Sequence, residues 1–205
     1  MTSLLGICRV IDAINERVGR FTLWLILGSV LISAGNAIVR KAFSMSSNAL
    51  LEIQWYLFAG VYLLAAGYVY LRNEHVRIDA LAGRWSARVR TWIEMIGIVI
   101  FILPLCAWVA WMSWPLLVNA WVSGEVSSNA GGLIRWPLYA LMPVAFVLLA
   151  AQAVSEFIKR LAFVRGLGPD PVAAVREQSA EEKLIEDLKR QTLQQGSQAG
   201  QGGAQ

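Results

Sequence analysis

Few residues in this chain could carry chemistry, and their spacing narrows the field further. There is one histidine, His75, so two histidines cannot hold a haem within the chain and a zinc site is short of nitrogen ligands. Cys8 precedes the first apolar stretch and Cys106 lies inside the third, so the two are not expected to meet, and neither a disulfide nor a metal site is indicated. No nucleophile stands at a recognisable spacing from a base, and there is no glycine-rich phosphate loop and no carboxylate pair inside an apolar stretch. No cofactor and no catalytic residue is therefore assigned. What remains is Asn36 within the first apolar stretch, Glu52 and Gln54 at the start of the second, and His75, Arg77 and Asp79 just past its end. A carboxylate in the first turn of a helix is favoured by the positive end of the helix dipole. Arg40 or Lys41, across a short connection, are its expected partners, which gives Glu52 a structural role over a proton-carrying one.

The elements that must position these residues are set by where charge is absent. The chain is 57% hydrophobic and 16% charged, against roughly a quarter charged in soluble domains. Charges are excluded from 21–39, 53–71, 95–124 and 136–155. A helix crossing the hydrocarbon core needs about 20 apolar residues, and lipid offers no partner to open backbone groups. The pattern predicts an all-α integral membrane fold with four transmembrane helices, at about 21–39, 50–71, 95–122 and 136–158. The third apolar run is 30 residues long, about 45 Å as a helix against a core of roughly 30 Å. It should tilt, bend or protrude, with Pro104 and Pro115 as kink points.

The net charge of +4 follows topology and gathers in no single groove, so nucleic acid is not expected as a partner. Arg9, Arg17, Arg20, Arg72, Arg77, Arg84, Arg88, Arg90, Lys159, Arg160 and Arg165 fall on one side of the membrane, and only Arg40, Lys41 and Arg135 on the other. The positive-inside rule then places both termini in the cytoplasm. Charges throughout the first twenty residues leave no apolar core for a cleavable signal, so 21–39 acts as an uncleaved anchor.

Two amphipathic segments accompany the spans. In 1–20, Leu4, Ile7, Ile11, Ile14 and Val18, continued by Phe21, recur at spacings of three and four. They describe either an interfacial helix or an extended end of helix one. In 76–92, Ile78, Leu81, Ala82, Trp85, Val89 and Trp92 form one stripe, flanked by Arg77, Arg84 and Arg88. That is the pattern of a helix lying on the cytoplasmic leaflet, with Trp85, Trp92, Arg84 and Arg88 as membrane anchors. Trp108, Trp111, Trp114 and Trp121 place the end of the third helix at headgroup level. Gly28, Ser29, Ser33, Gly35 and Asn36, with Gly60, Ala65, Ala66 and Gly67, suit close helix contact, within this bundle or with a partner. Ser46-Ser47-Asn48-Ala49 and Ser127-Ser128-Asn129-Ala130 echo each other, as a duplicated two-helix unit or as convergent helix-start residues. Residues 166–205 form a cytoplasmic tail, broken at Gly166 to Pro171 and disordered at its Gln/Gly-rich end.

Certain runs are more specific. Glu52-Ile53-Gln54-Trp55 at the start of helix two and Arg72-Asn73-Glu74-His75-Val76-Arg77-Ile78-Asp79 at its end resemble the DctQ-type small subunit of tripartite (TRAP) transporters. The run from Gly124 to Pro137, GEVSSNAGGLIRWP, is similar to the branch labelled mannitol/chloroaromatic-type. The similarity covers about residues 1–171. It implies a non-enzymatic scaffold subunit in a bacterial inner membrane. Its partners would be a large DctM-like membrane subunit carrying the substrate and sodium sites, and a periplasmic solute-binding protein. Asn36, Glu52, Gln54, His75, Arg77 and Asp79 are the interface candidates, His75 and Asp79 among them as the resemblance implies. The competing class is a small four-helix membrane enzyme or redox subunit.

Overall fold

The structure, a computed structural model, describes residues 2–43, 48–72, 86–129 and 131–167. Within them the chain folds as α1 (Thr2–Phe43), α2 (Asn48–Leu71), α3 (Ala87–Gly97), α4 (Leu103–Ser123) and α5 (Trp136–Val164). A five-residue π turn, Ile98–Ile102, joins α3 and α4 into one continuous helix. Four spans, α1, α2, α3–α4 and α5, are thus long and apolar enough to cross a membrane. This is a multi-pass all-helical membrane protein. Its proximal end is where α1 begins and α5 finishes, and its distal end is where α1 leads to α2 and α4 to α5.

Two stretches read separately from the sequence prove continuous with spans. The N-terminal amphipathic segment runs through Arg20 and Phe21 without a break, so α1 is a single rod of 42 residues. Residues 87–92 are the opening turns of the third span, where the Ser86 side chain caps α3 by accepting the Val89 N–H. The other residues of the expected interfacial helix, 76–85, lie outside the described residues. So do His75, Arg77 and Asp79 and the tail beyond 167.

The bundle's interior is polar and small while its exterior is apolar. On α1, Cys8, Asn15, Thr22, Ser29 and Asn36 are buried at intervals of seven, with Gly19 buried between two of them, whereas Leu4, Ile7, Ile14 and Phe21 face outward. Lipid removes the hydrophobic drive between helices, so close packing and hydrogen bonds must hold them. Two turns of α-helix span about 7.2 residues, so a seven-residue repeat keeps one face inward only with a slow left-handed wrap. The contact between α1 and α2 is reciprocal. Gly19 leaves room for the Tyr68 ring and Gly67 for the Asn15 amide, and a methyl at either would collide.

The third span keeps the same repeat with one interruption. Thr91, Ile98, Cys106, Ser113 and Ala120 are buried along it, with Met95 buried beside the first two, so the step from Ile98 to Cys106 across the π turn is eight in place of seven. The cause is Pro104, which has no N–H and whose ring would press on the carbonyl four residues back. The wider turn relieves this, with the Leu103 N–H reaching back to Ile98 O, and it inserts the extra residue that restores the inward face. The helix then continues unbroken to Ser123, with Trp108, Trp111 and Trp114 exposed. From Arg88 it is 36 residues long, about 54 Å at helical rise and well beyond the hydrocarbon core.

Candidate functional site

Polar side chains inside the bundle gather into two clusters, one at each end. At the distal end the centre is Glu52, one turn into α2 and only 4% exposed. The chain delivers its partners through a hairpin. Gly124 ends α4 in the left-handed conformation, at φ 63°, which glycine adopts without a Cβ clash. The segment then folds back on itself. The Ser127 N–H bonds to Leu133 O at 2.9 Å, the Arg135 N–H to Glu125 O at 3.0 Å, and Val126 and Ile134 form an antiparallel bridge. Gly132 lies so close to the Ser127 carbonyl that a methyl would not fit.

The hairpin tip presents three donors to one carboxylate. Ser127 Oγ and Asn129 Nδ2 donate to Glu52 Oε1, the latter at 2.7 Å, and the Leu133 N–H donates to Oε2 at 2.9 Å. The expected pairing with Arg40 or Lys41 is therefore replaced. Both cations are exposed at the end of α1, while the α4–α5 hairpin supplies neutral donors directly above the carboxylate. Beside the cluster Arg135 bonds to Glu125 at 3.2 Å and to Tyr139 OH at 3.4 Å. The Tyr139 contact, then Glu125, raises the guanidinium pKa further above its usual range. Trp121 and Trp136 close the α4–α5 corner edge to face, 4.7 Å between centroids.

The proximal cluster is built from charges. Arg160, 2% exposed, donates from Nε to Glu94 Oε2 at 2.8 Å and from Nη1 to Glu156 Oε2. The other Glu156 oxygen takes Lys159 Nζ at 2.8 Å, and Lys159 reaches Asp12 Oδ2 at 2.7 Å. Asp12 Oδ1 also accepts from Gln152 at 2.9 Å and Ser155 at 3.0 Å, and Gln152 in turn accepts from Asn15 at 2.9 Å. Signs alternate from Glu94 through Arg160, Glu156 and Lys159 to Asp12, and the chain of contacts joins α3, α5 and α1. Glu16 of α1 adds Arg72, at the end of α2, at 3.5 Å. Removing such charges from water costs several kcal/mol per ion, so the network holds only while every member keeps its partners.

Of the site candidates singled out in the sequence that fall among the described residues, Glu52 alone sits at a cluster centre. Gln54 is half-buried on another face of α2 and stays out of the cluster. Asn36 is buried with its Oδ1 lacking a hydrogen-bond partner among the described residues. Arg88 and Trp92 are exposed on α3, and Arg84 and Trp85 lie outside the described residues. The proximal cluster went unread because the apolar run stops at Ser155 and the expected helix ends at about 158, which leaves Lys159 and Arg160 as loop charges. The four-residue step from Glu156 to Arg160 was the available signal. Among the described residues, no group of three or more His, Cys, Asp or Glu is placed to hold a metal ion.

Both clusters hold helices together, and neither presents a reacting group. A family model described as "Tripartite ATP-independent periplasmic transporters, DctQ component" matches residues 29–163. The chain belongs to this family. The DctQ match takes in Glu52, the whole distal hairpin, Glu94, Glu156 and Arg160, whereas Asp12 and Asn15 precede it. A DctQ protein is a transporter component, so transport replaces catalysis as the frame for the site. No curated protein and no solved structure matches the chain.

Proposed function

We propose that this chain is the small scaffold subunit of a sodium-coupled TRAP transporter, bracing a large DctM-like membrane subunit that imports an organic acid or related solute delivered by a periplasmic binding protein. The observation that carries this reading is that the buried and half-buried acids of both clusters are already satisfied from within. Glu52 accepts from three donors, Glu156 is held by Lys159 and Arg160, Glu94 pairs with Arg160, and Asp12 pairs with Lys159. An element that couples transport to an ion must bind and release it through an intramembrane polar group, and these groups are committed to holding helices. The charge asymmetry of the loops supports cytoplasmic termini in a bacterial inner membrane, with the distal hairpin facing the periplasm. The GEVSSNAGGLIRWP run from 124 to 137 supports the mannitol/chloroaromatic-type branch. Arg88 and Trp92, exposed where the third span begins, suit anchoring at the cytoplasmic leaflet together with Arg84 and Trp85.

Reconstitution tests the reading. Liposomes holding both membrane subunits, with the binding protein outside and an inward sodium gradient, should accumulate solute, and liposomes holding this chain alone should not. Sodium-driven uptake by the isolated chain would overturn the scaffold role.

A further inference from the structure

Tyr62 stands ten residues from Glu52 and ten from Arg72 along α2, about 15 Å of helical rise from each polar end. Its phenol is therefore near mid-depth in the bilayer, far beyond the reach of a tyrosine side chain to either interface. There it is 82% exposed, and no described residue accepts its O–H. Tyrosine in membrane proteins concentrates at the interfaces, where its ring is apolar on one side and its hydroxyl is wet. A hydroxyl facing hydrocarbon loses that partner, and an acyl chain cannot replace it.

The same residue edges an open groove of about 570 Å³ between α2 and α5, lined by Tyr62, Ala65, Ala66, Val69, Ala145 and Leu149. From Val61 to Val69 the groove follows about 12 Å of α2, enough for two turns of another helix. Ala65 and Ala66, half-buried on the wall of the groove, let a second backbone approach closely. A lipid tail could fill this space, but only a protein also brings a hydrogen-bond acceptor to mid-depth. We propose that the groove receives a transmembrane helix of the large subunit, which packs small residues against Ala65 and Ala66 and offers a backbone carbonyl or a Ser/Thr hydroxyl to Tyr62. The proposal rests on the chain being the small subunit of a TRAP transporter, and it adds which face docks and through what chemistry.

The test is site-specific photocrosslinking in membranes co-expressing both subunits, with Tyr62→p-benzoylphenylalanine and, as control, Leu31→p-benzoylphenylalanine on the exposed side of α1. An adduct with the large subunit from position 62, mapped to one of its transmembrane helices, is expected. Adducts only with phospholipid, adducts with a second copy of this chain, or a large-subunit adduct from position 31 in place of 62 would each overturn the assignment. Co-purification of the unmodified chain separates this failure from a broader one. If the subunits co-purify but position 62 does not crosslink, the groove assignment falls alone. If they do not associate at all, the scaffold reading falls with it. Two milder variants guard against misfolding. Ala66→Leu should cut complex yield about tenfold and Tyr62→Phe several-fold, each leaving the melting temperature of the isolated chain unchanged. Unchanged complex yield in both would overturn the proposal.

Discussion

The distal and proximal clusters solve one problem, holding polar groups inside a membrane bundle, by opposite means. At the distal end a single charge is surrounded by neutral donors, all from the seven residues 127–133. At the proximal end five ionised side chains from three helices bond mainly to one another, the acids at 12, 94 and 156 lying far apart in sequence. Hydrogen bonds to one carboxylate fail one at a time, so the distal cluster should weaken in steps. Alternating ion pairs fail together, because removing one ion strands its buried neighbours. The distal hairpin is thus a graded clip, and the proximal network an all-or-none brace.

The largest effect is expected from Arg160→Leu, which leaves Glu94 and Glu156 without their shared cation. Losing one partner of a buried pair costs about 3–5 kcal/mol, which should appear as early unfolding in an SDS titration of the detergent-solubilised protein. Replacing Glu94, Glu156 and Arg160 together by apolar residues of similar size should restore most of that loss. If the triple variant is no better than the single one, the network does not act as a unit. Ser127→Ala should cost less, about 1.5–3 kcal/mol for a hydrogen bond to a charged acceptor. Asn129 and the Leu133 N–H would still hold Glu52, so the loss should show as faster proteolysis of the hairpin with the rest of the bundle intact. Global unfolding in Ser127→Ala would erase the contrast between the two ends.

How much of this was legible in the sequence follows from the same contrast. Four spans, the long third helix and the importance of Glu52 could be read because each rests on residues close together along the chain. The Glu52 partners could not, since the charges nearest in sequence, Arg40 and Lys41, outweighed neutral residues some 80 positions away. The proximal network was hidden for a related reason. Hydropathy counts Lys159 and Arg160 as loop charges, and only the packing of α5 against α1 and α3 shows them neutralised within a helix that runs to Val164. The π turn was half visible. Pro104 announced a disturbance, but that it would take the form of one inserted residue is evident only once Ile98 and Cys106 are both seen to be buried.

The smallest expected effect sharpens the comparison furthest. Trp121 and Trp136 meet edge to face at the corner from which the hairpin springs, and such a pair is worth about 0.5–1.5 kcal/mol beyond its buried area. Trp121→Leu should cost that much and flatten the near-ultraviolet circular dichroism of the coupled indoles. Its value lies in combination. Sites in contact or sharing a partner depart from additivity, whereas distant ones add to within about 0.5 kcal/mol. Trp121→Leu should therefore couple with Ser127→Ala, because both loosen the α4–α5 corner, and should simply add to Arg160→Leu, two clusters' distance away at the proximal end. The SDS midpoints of the three single and two double variants measure both couplings. Strong coupling between Trp121 and Arg160 would mean that the two ends share one cooperative unit, and the graded clip would then be part of the brace.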